Sequence, residues 1–479
     1  MFNLTSGEQS AVASRRFTDP ANLFVWSIWF IMLVVALVYV FVYGRNLPLE
    51  EDWNMVSALT GNQQDIATWL WEQNNEHRIP FPKLVLHLLL KITNGDFRCG
   101  MVLNICSSAG IAAMFIAACK KLRGKTNYVD AFFPIAFLHM GNWENFYWSW
   151  QFTLILSTFL TCILIAIVAN YTRLLTTRLT VLASVCMMAL PLSGANGLLY
   201  LVPVVPWLTY ECYFQFKSKE QGGSRLNAYL ILVSLIITVV FVFMYFDGYY
   251  RPWWNPPNPG IYPTLKTSIK FLALAFGPAA ILSWTISTLA ALLINGSTLY
   301  ILLRTLLKVR GPEFRRAFAL LLFLGGSIVF ALAMGWGRAA WVPTFGMPIR
   351  YVLLALPSLI TCYFSWLLYG SKQSRVIIPA SLFLAMALLI IPNSRKGFIW
   401  RDWYLDGTRS VMTDIENGVP HGDLATKHFN FLLHSNKKRL SDRMLQLKEA
   451  GIGPFKQMKV DSDNKNTAPT QNIDTTITQ

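Results

Sequence analysis

Charge is what this sequence has least of. Asp, Glu, Lys and Arg make up 14% of its 479 residues, against about 25% in a typical soluble domain. With 54% hydrophobic residues and a mean hydropathy of +0.41, that scarcity excludes an ordinary soluble globule. Cysteine is nearly as uninformative. The seven cysteines lie in or beside apolar segments with no metal or redox spacing, so they read as small buried hydrophobes. No nucleic-acid recognition motif accompanies the net charge of +16. Its basic residues sit neither in one block nor on one face; they punctuate the gaps between apolar runs. The first apolar run also lacks a small-residue cleavage site, so it reads as a retained span and not a signal peptide.

What the chain does have is a series of apolar runs, many long enough to cross a hydrocarbon core of about 30 Å. They fall near 24–43, 99–119, 129–141, 151–170, 179–191, 197–214, 226–246, 264–284, 286–307, 317–336, 351–369 and 376–392. The expected fold class is all-α, a polytopic transmembrane helical bundle of 11–13 spans. The basic connections "KKLRGK", "TRLLTTR", "KSKEQGGSR", "KVRGPEFRR" and "SKQSR" belong on the cytoplasmic side by the positive-inside rule. Two full crossings by 264–284 and 286–307 would put "KVRGPEFRR" on the wrong side. One of the pair is therefore expected to be re-entrant, or to hide a break near Gly277-Pro278. Segments 129–141 and 179–191 are short for a span, and short spans leave a depression in the membrane surface.

The resulting organisation is a cytoplasmic segment 1–23, a membrane domain 24–392 whose first external loop is 44–98, an extracytoplasmic helical region 393–459, and a disordered tail 460–479. Within the third part, "FLLHSNKKRLSDRMLQLKEAGIGPF" reads as an amphipathic helix ended by Gly451.

The informative polar residues collect on the external face. "PLEEDW" places Glu50, Glu51 and Asp52 just past the first span. Adjacent carboxylates raise one another's pKa, which can supply a general base; the bland alternative is a solvated loop. "WEQNNEHR" offers Glu72, Glu76, His77 and Arg78, as a structural or substrate-binding clamp in preference to a metal site. "GNWENFYWSW" adds Trp143 and Glu144. "GWGRAAWVPTFGMPIRY" sets Arg338 and Arg350 at the two ends of one loop. They either snorkel beside their spans or converge on an anionic group, for which the guanidinium fork is suited. The external tryptophans serve as an interfacial belt, or stack on sugar rings.

The layout resembles the GT-C superfamily of membrane glycosyltransferases, and a bacterial multi-pass branch of it. The features that carry the resemblance are the first span running into an acidic motif, "NNEHR", "NWENFYWSW" and the "GR…RY" pair. "SGANGLLYLVP" looks like the small-residue turn of protein-mannosyl and lipid-A-sugar transferase relatives, but has Ala195 and Asn196 where several relatives carry a Lys. The resemblance implies an inverting transfer from a polyprenyl-phosphate sugar to a glycan or lipid acceptor at the outer face of a bacterial cytoplasmic membrane. Asp52, or else Glu51, would be the base. Arg338 and Arg350 would meet the leaving phosphate, with Arg78 third. Glu76, His77, Trp143 and Glu144 would bind substrate. The resemblance leaves a divalent cation open, and no other cofactor is implied.

Two rival functions use the same residues. A transporter or flippase would carry ionisable groups at mid-membrane depth and repeated halves. A non-catalytic scaffold would use the acidic loop to dock a partner.

Overall fold

In hydrocarbon an unpaired backbone N–H or C=O costs several kcal/mol, and a helix pairs all of them within one segment. The apolar runs accordingly fold as helices. The computed structural model describes residues 19–171, 173–217, 223–432 and 436–460, and among these there is no strand. The N-terminal segment up to residue 18 and the tail from 461 lie outside the described residues.

The principal helices are α1 (Pro20–Tyr43), α2 (Pro80–Ile92), α3 (Arg98–Arg123), α4 (Phe152–Asn170), α5 (Thr177–Ala189), α6 (Ala195–Lys217) and α7 (Arg225–Phe246). They are followed by α8 (Ile261–Ala273), α9 (Trp284–Lys308), α10 (Gly311–Arg338), α11 (Val352–Tyr369), α12 (Ser374–Glu416) and α13 (Lys437–Glu449). Among the described residues, eight helical stretches are long and apolar enough to cross a membrane: α1, α3, α4, α7, α9, α10, α11 and α12, some with an adjoining turn. The chain is an all-α, multi-pass membrane protein. Helices α4 and α11 form its interior, buried along most of their length. Helices α1 and α7 are apolar all round and expose Phe30, Phe41, Ile236 and Phe243, the signature of a lipid-facing wall.

The shorter apolar segments are broken for identifiable reasons. Segment 129–141 is a helix of seven residues, Phe132–Leu138, with every side chain buried, and His139 in extended backbone ends it. Helix α5 has 13 residues, about 20 Å at 1.5 Å per residue, which falls short of a full core. Segment 264–284 divides at Gly277, whose φ is +92°. A β-carbon there would lie 2.4 Å from the Asn393 side chain, so the position requires glycine. Asn393 closes the break, accepting the Ala279 N–H at 2.7 Å and donating to the Phe276 carbonyl at 3.0 Å.

This break resolves the topology. Helix α8 starts beside the end of α10, where Asn258 donates to the Trp336 carbonyl at 2.9 Å. Helix α9 ends at Lys308, next to the start of α10 at Gly311. Segment 261–283 is therefore re-entrant, and α9 makes the one crossing of the pair.

The basic connections consequently share one end of the bundle. Asn22 accepts from Thr126 at 3.0 Å; Arg315 lies 5.1 Å from the Phe214 ring; Leu175 O accepts from Gln215 and Asn227 at 2.8 and 3.0 Å. The acidic loop, residues 140–151, 193–195, 245–258 and 338–350 gather at the other. Helix α12 has 43 residues, about 65 Å, roughly twice the thickness of a hydrocarbon core. It rises past the bundle at the acidic end and carries the C-terminal helices. There α13 packs on Val56–Thr60 of the first loop through buried Leu440, Met444 and Leu447, and Gly451, φ +66°, stands at its end as the sequence suggests. The helix starts only at Lys437, six residues after Phe431, where the amphipathic pattern begins, and a separate short helix, Phe429–Leu432, precedes it.

Candidate functional site

The first loop and the C-terminal region make one cap. Ser57 donates to Gln446 at 3.0 Å, Arg443 to Asn54 at 3.1 Å, and the Arg45 N–H to the Tyr404 hydroxyl at 3.0 Å. Beneath it lies a cavity of about 860 Å³, within the range of small-molecule sites. Its floor holds Glu50 and Glu51. Trp69, Tyr250, Trp253 and Trp254 supply aromatic faces, and seven amide side chains line it, from Asn54 and Gln73 on one side to Asn436 and Gln446 on the other. No Leu, Ile, Val, Met or Ala contributes to the lining.

The three acids separate because the chain turns sharply beneath them. Glu50–Met55 is a 3₁₀ turn, and Asp52 caps it: one carboxylate oxygen accepts the Leu49 N–H at 3.3 Å, the other the Trp150 N–H at 2.8 Å. Asp52 is 1% exposed and does not line the cavity. Asp52, expected as the base, thus caps the turn behind the cavity wall, and Glu50 and Glu51 face the open space. Glu50 holds a left-handed φ of +48°, rare for a side chain with a β-carbon. Such residues cost about 1–3 kcal/mol and are kept only where the surroundings enforce them.

Burial and the adjacent Glu51 charge push the Glu50 carboxyl up to about 9. Burial raises Glu51 as well, against the pull of Arg350 and Arg338. Glu50 therefore keeps its proton at neutral pH. The Glu51 Oε2 atom is buried and accepts no hydrogen bond.

Arg338 and Arg350 both act electrostatically on Glu51, although neither lines the cavity. Their guanidinium carbons lie 5.8 and 5.6 Å from the centroid of the same Tyr351 ring. Arg350 also pairs with Glu144 at 3.5 Å, and its backbone N–H donates to Glu144 at 2.5 Å. Burial raises Glu144, and Arg350 opposes that rise. Arg338 reaches Glu76 and His77 electrostatically. Burial alone would raise the Glu76 carboxyl, but His77, Arg338 and a 2.7 Å hydrogen bond from Asn255 hold it below its ordinary range. His77 is pushed down by burial, and Arg338 adds to this against Glu76. Its Nδ1 accepts the Ala195 N–H at 3.3 Å, which places the ring proton on Nε2. The turn "SGANG" therefore meets the acidic loop through a histidine.

Two expected binding residues serve the frame. Arg78 is buried and donates to the carbonyls of Tyr245, Trp71 and Asp247 at 3.0, 2.9 and 2.6 Å, a clamp between the first loop and the loop after α7. Trp143 is 6% exposed and stacks on Trp400 of α12, with ring centroids 4.9 Å apart. A further residue at the cavity escaped the sequence reading. Lys83 is buried, donates to the Trp69 and Glu72 carbonyls, and is pushed down to about 8 by burial. The signal was a lone Lys on the apolar face of α2. Among the described residues no three His, Cys, Asp or Glu side chains could together hold a metal ion. The carboxylates that line the cavity are Glu50, Glu51, Glu72 and Asp442.

Fold and site together define a multi-pass helical membrane protein with a polar, aromatic-walled cavity at one end. Compared with known proteins, the chain matches no family profile, no curated protein and no solved structure.

Proposed function

We propose that this protein is a GT-C-type glycosyltransferase, transferring a sugar from a polyprenyl-phosphate donor to a glycan or lipid acceptor with inversion. The single observation that carries the reading is the cavity lining. Amides, aromatic faces and paired carboxylates, with no aliphatic side chain among them, suit a ligand rich in hydroxyls. The donor's isoprenoid tail stays in the membrane. The basic end of the bundle faces the cytoplasm and the cavity faces outward, in keeping with the positive-inside rule.

In this mechanism Glu51 replaces Asp52 as general base. Its carboxylate takes the proton of an acceptor hydroxyl. The oxygen forms a bond to the anomeric carbon as the bond from that carbon to the lipid-phosphate oxygen breaks. The phosphate leaves with its charge facing Arg338 and Arg350, so no protonating acid is needed. Glu50 keeps its proton and limits the negative charge beside the base. Trp253 and Trp254 offer stacking faces to the acceptor.

The test supplies membranes of cells carrying the gene with a radiolabelled polyprenyl-phosphate sugar and follows label into glycan and lipid fractions. Glu51→Gln should reduce transfer by about 10²–10⁴-fold while the protein inserts and melts as before. Transfer undiminished in Glu51→Gln would remove the base from the mechanism. No transfer by the native protein above that of membranes lacking the gene would remove the reaction.

A further inference from the structure

At the opposite end of the bundle a second cavity of about 480 Å³ opens between the ends of α3, α10, α11 and α12. Its walls are of two kinds. Arg123, Arg316 and Arg375 face it against a single carboxylate, Glu313. Leu122, Val129, Leu367, Leu368 and Val376 make the remainder mostly apolar.

The guanidinium groups are held in place from behind. Asp130, wholly buried, pairs with Arg123 and also accepts from the Tyr363 hydroxyl at 2.8 Å and the Asn127 N–H at 2.9 Å. Arg316 Nη2 donates to both Glu313 oxygens at 2.6 and 2.7 Å, and its Nε to the Tyr369 hydroxyl at 3.2 Å. Arg375 donates to the Gly370 carbonyl at 2.8 Å. One donor in this arrangement has no acceptor: Arg123 Nε is buried and makes no hydrogen bond. A buried donor left unmade costs about 1–3 kcal/mol, which a small shift of the Arg123 side chain toward an anionic oxygen in the cavity would recover. Lys120 and Lys121 in the last turn of α3, with Lys125 and Lys372 in the flanking connections, add to the positive field.

We propose that this cavity binds the phosphate headgroup of an anionic phospholipid, its first acyl carbons lying against the leucine and valine wall. An apolar wall that opens between membrane helices fits a lipid better than free phosphate, which would gain nothing from Leu367 and Leu368. The site lies at the end of the bundle remote from the acidic cavity, and the inference does not rest on the glycosyl-transfer reading.

Native mass spectrometry of the full chain, stripped of lipid in neutral detergent, tests it. Phosphatidylglycerol should be retained at least tenfold more tightly than phosphatidylcholine of the same chains. Arg375→Gln and the double variant R316Q/R375Q should reduce that preference stepwise. Both leave the Arg123–Asp130 pair intact, and the preference of the native chain is readable even if a variant fails to fold. Equal retention of the two lipids overturns the proposal. So does displacement of phosphatidylglycerol by millimolar inorganic phosphate, which would make the ligand a free anion.

Discussion

Asp52 accepts the backbone N–H of Trp150 at 2.8 Å, a bond that joins the acidic turn to the start of α4 across 98 positions of sequence. Removing that carboxylate orphans two buried N–H groups, those of Trp150 and Leu49. Asp52→Ala should destabilise the protein by about 2–4 kcal/mol, while Asp52→Asn, which keeps one acceptor, should cost about 1 kcal/mol. Thermal melts in detergent would separate the two. An Asp52→Ala variant that melts normally yet transfers nothing would return the base to Asp52.

Glu50 predicts a pH dependence of known sign. Its folded pKa, about 9, lies above the ordinary carboxylate value. The folded state therefore keeps a proton that the unfolded state has released. Stability falls as pH rises from about 4.5 to 9 and levels off above. Glu50→Gln should flatten that slope and raise the melting temperature at pH 8. Melting curves between pH 5 and 10 check both.

The Arg78 clamp uses three separate nitrogens, and a lysine cannot reproduce that fan. Arg78→Lys should cost about 2–3 kcal/mol and loosen the connection between the first loop and the loop after α7. Hydrogen exchange across 245–258 should speed up. Unchanged exchange there would show that Gln73 and Asn255 suffice to hold the loop.

Trp253 is 90% exposed, stands edge-on to Trp254 with ring centroids 5.8 Å apart, and lines the cavity. As an acceptor platform, Trp253→Ala should raise the acceptor KM about fivefold, roughly 1 kcal/mol, and leave kcat intact. If the ring serves only as a membrane anchor, KM stays constant and insertion or tilt changes instead.

The architecture was legible wherever the physics is local. Long apolar runs became α1, α3 and α7, and a Gly-Pro pair at 277–278 marked the break that repairs the topology. Gly451 marked the end of a helix. The site was legible as a set of elements but not as individual roles. Glu50, Glu51 and Asp52 are equivalent in sequence, and only the 3₁₀ turn beneath them decides which faces the cavity. Trp143 and Trp253 are likewise both loop tryptophans until α12 arrives to cover one. The far wall of the cavity was invisible, since Asn54 and Arg443 lie 389 positions apart and nothing local links them. Arg338 and Arg350 fared better: their spacing across one loop already allowed convergence, and both reach Tyr351.

Helix α12 runs without interruption from Arg375, at the foot of the bundle, to Tyr404 and Asp414 in the cap. Membrane helices answer a change in bilayer thickness by tilting, and over about 65 Å a ten-degree lean shifts the far end by roughly 11 Å. Pro379 and Pro392 lie inside it, and interior prolines are where long helices bend, so Pro392 is where a lean of the membrane portion is taken up before it reaches the cap above Glu50 and Glu51.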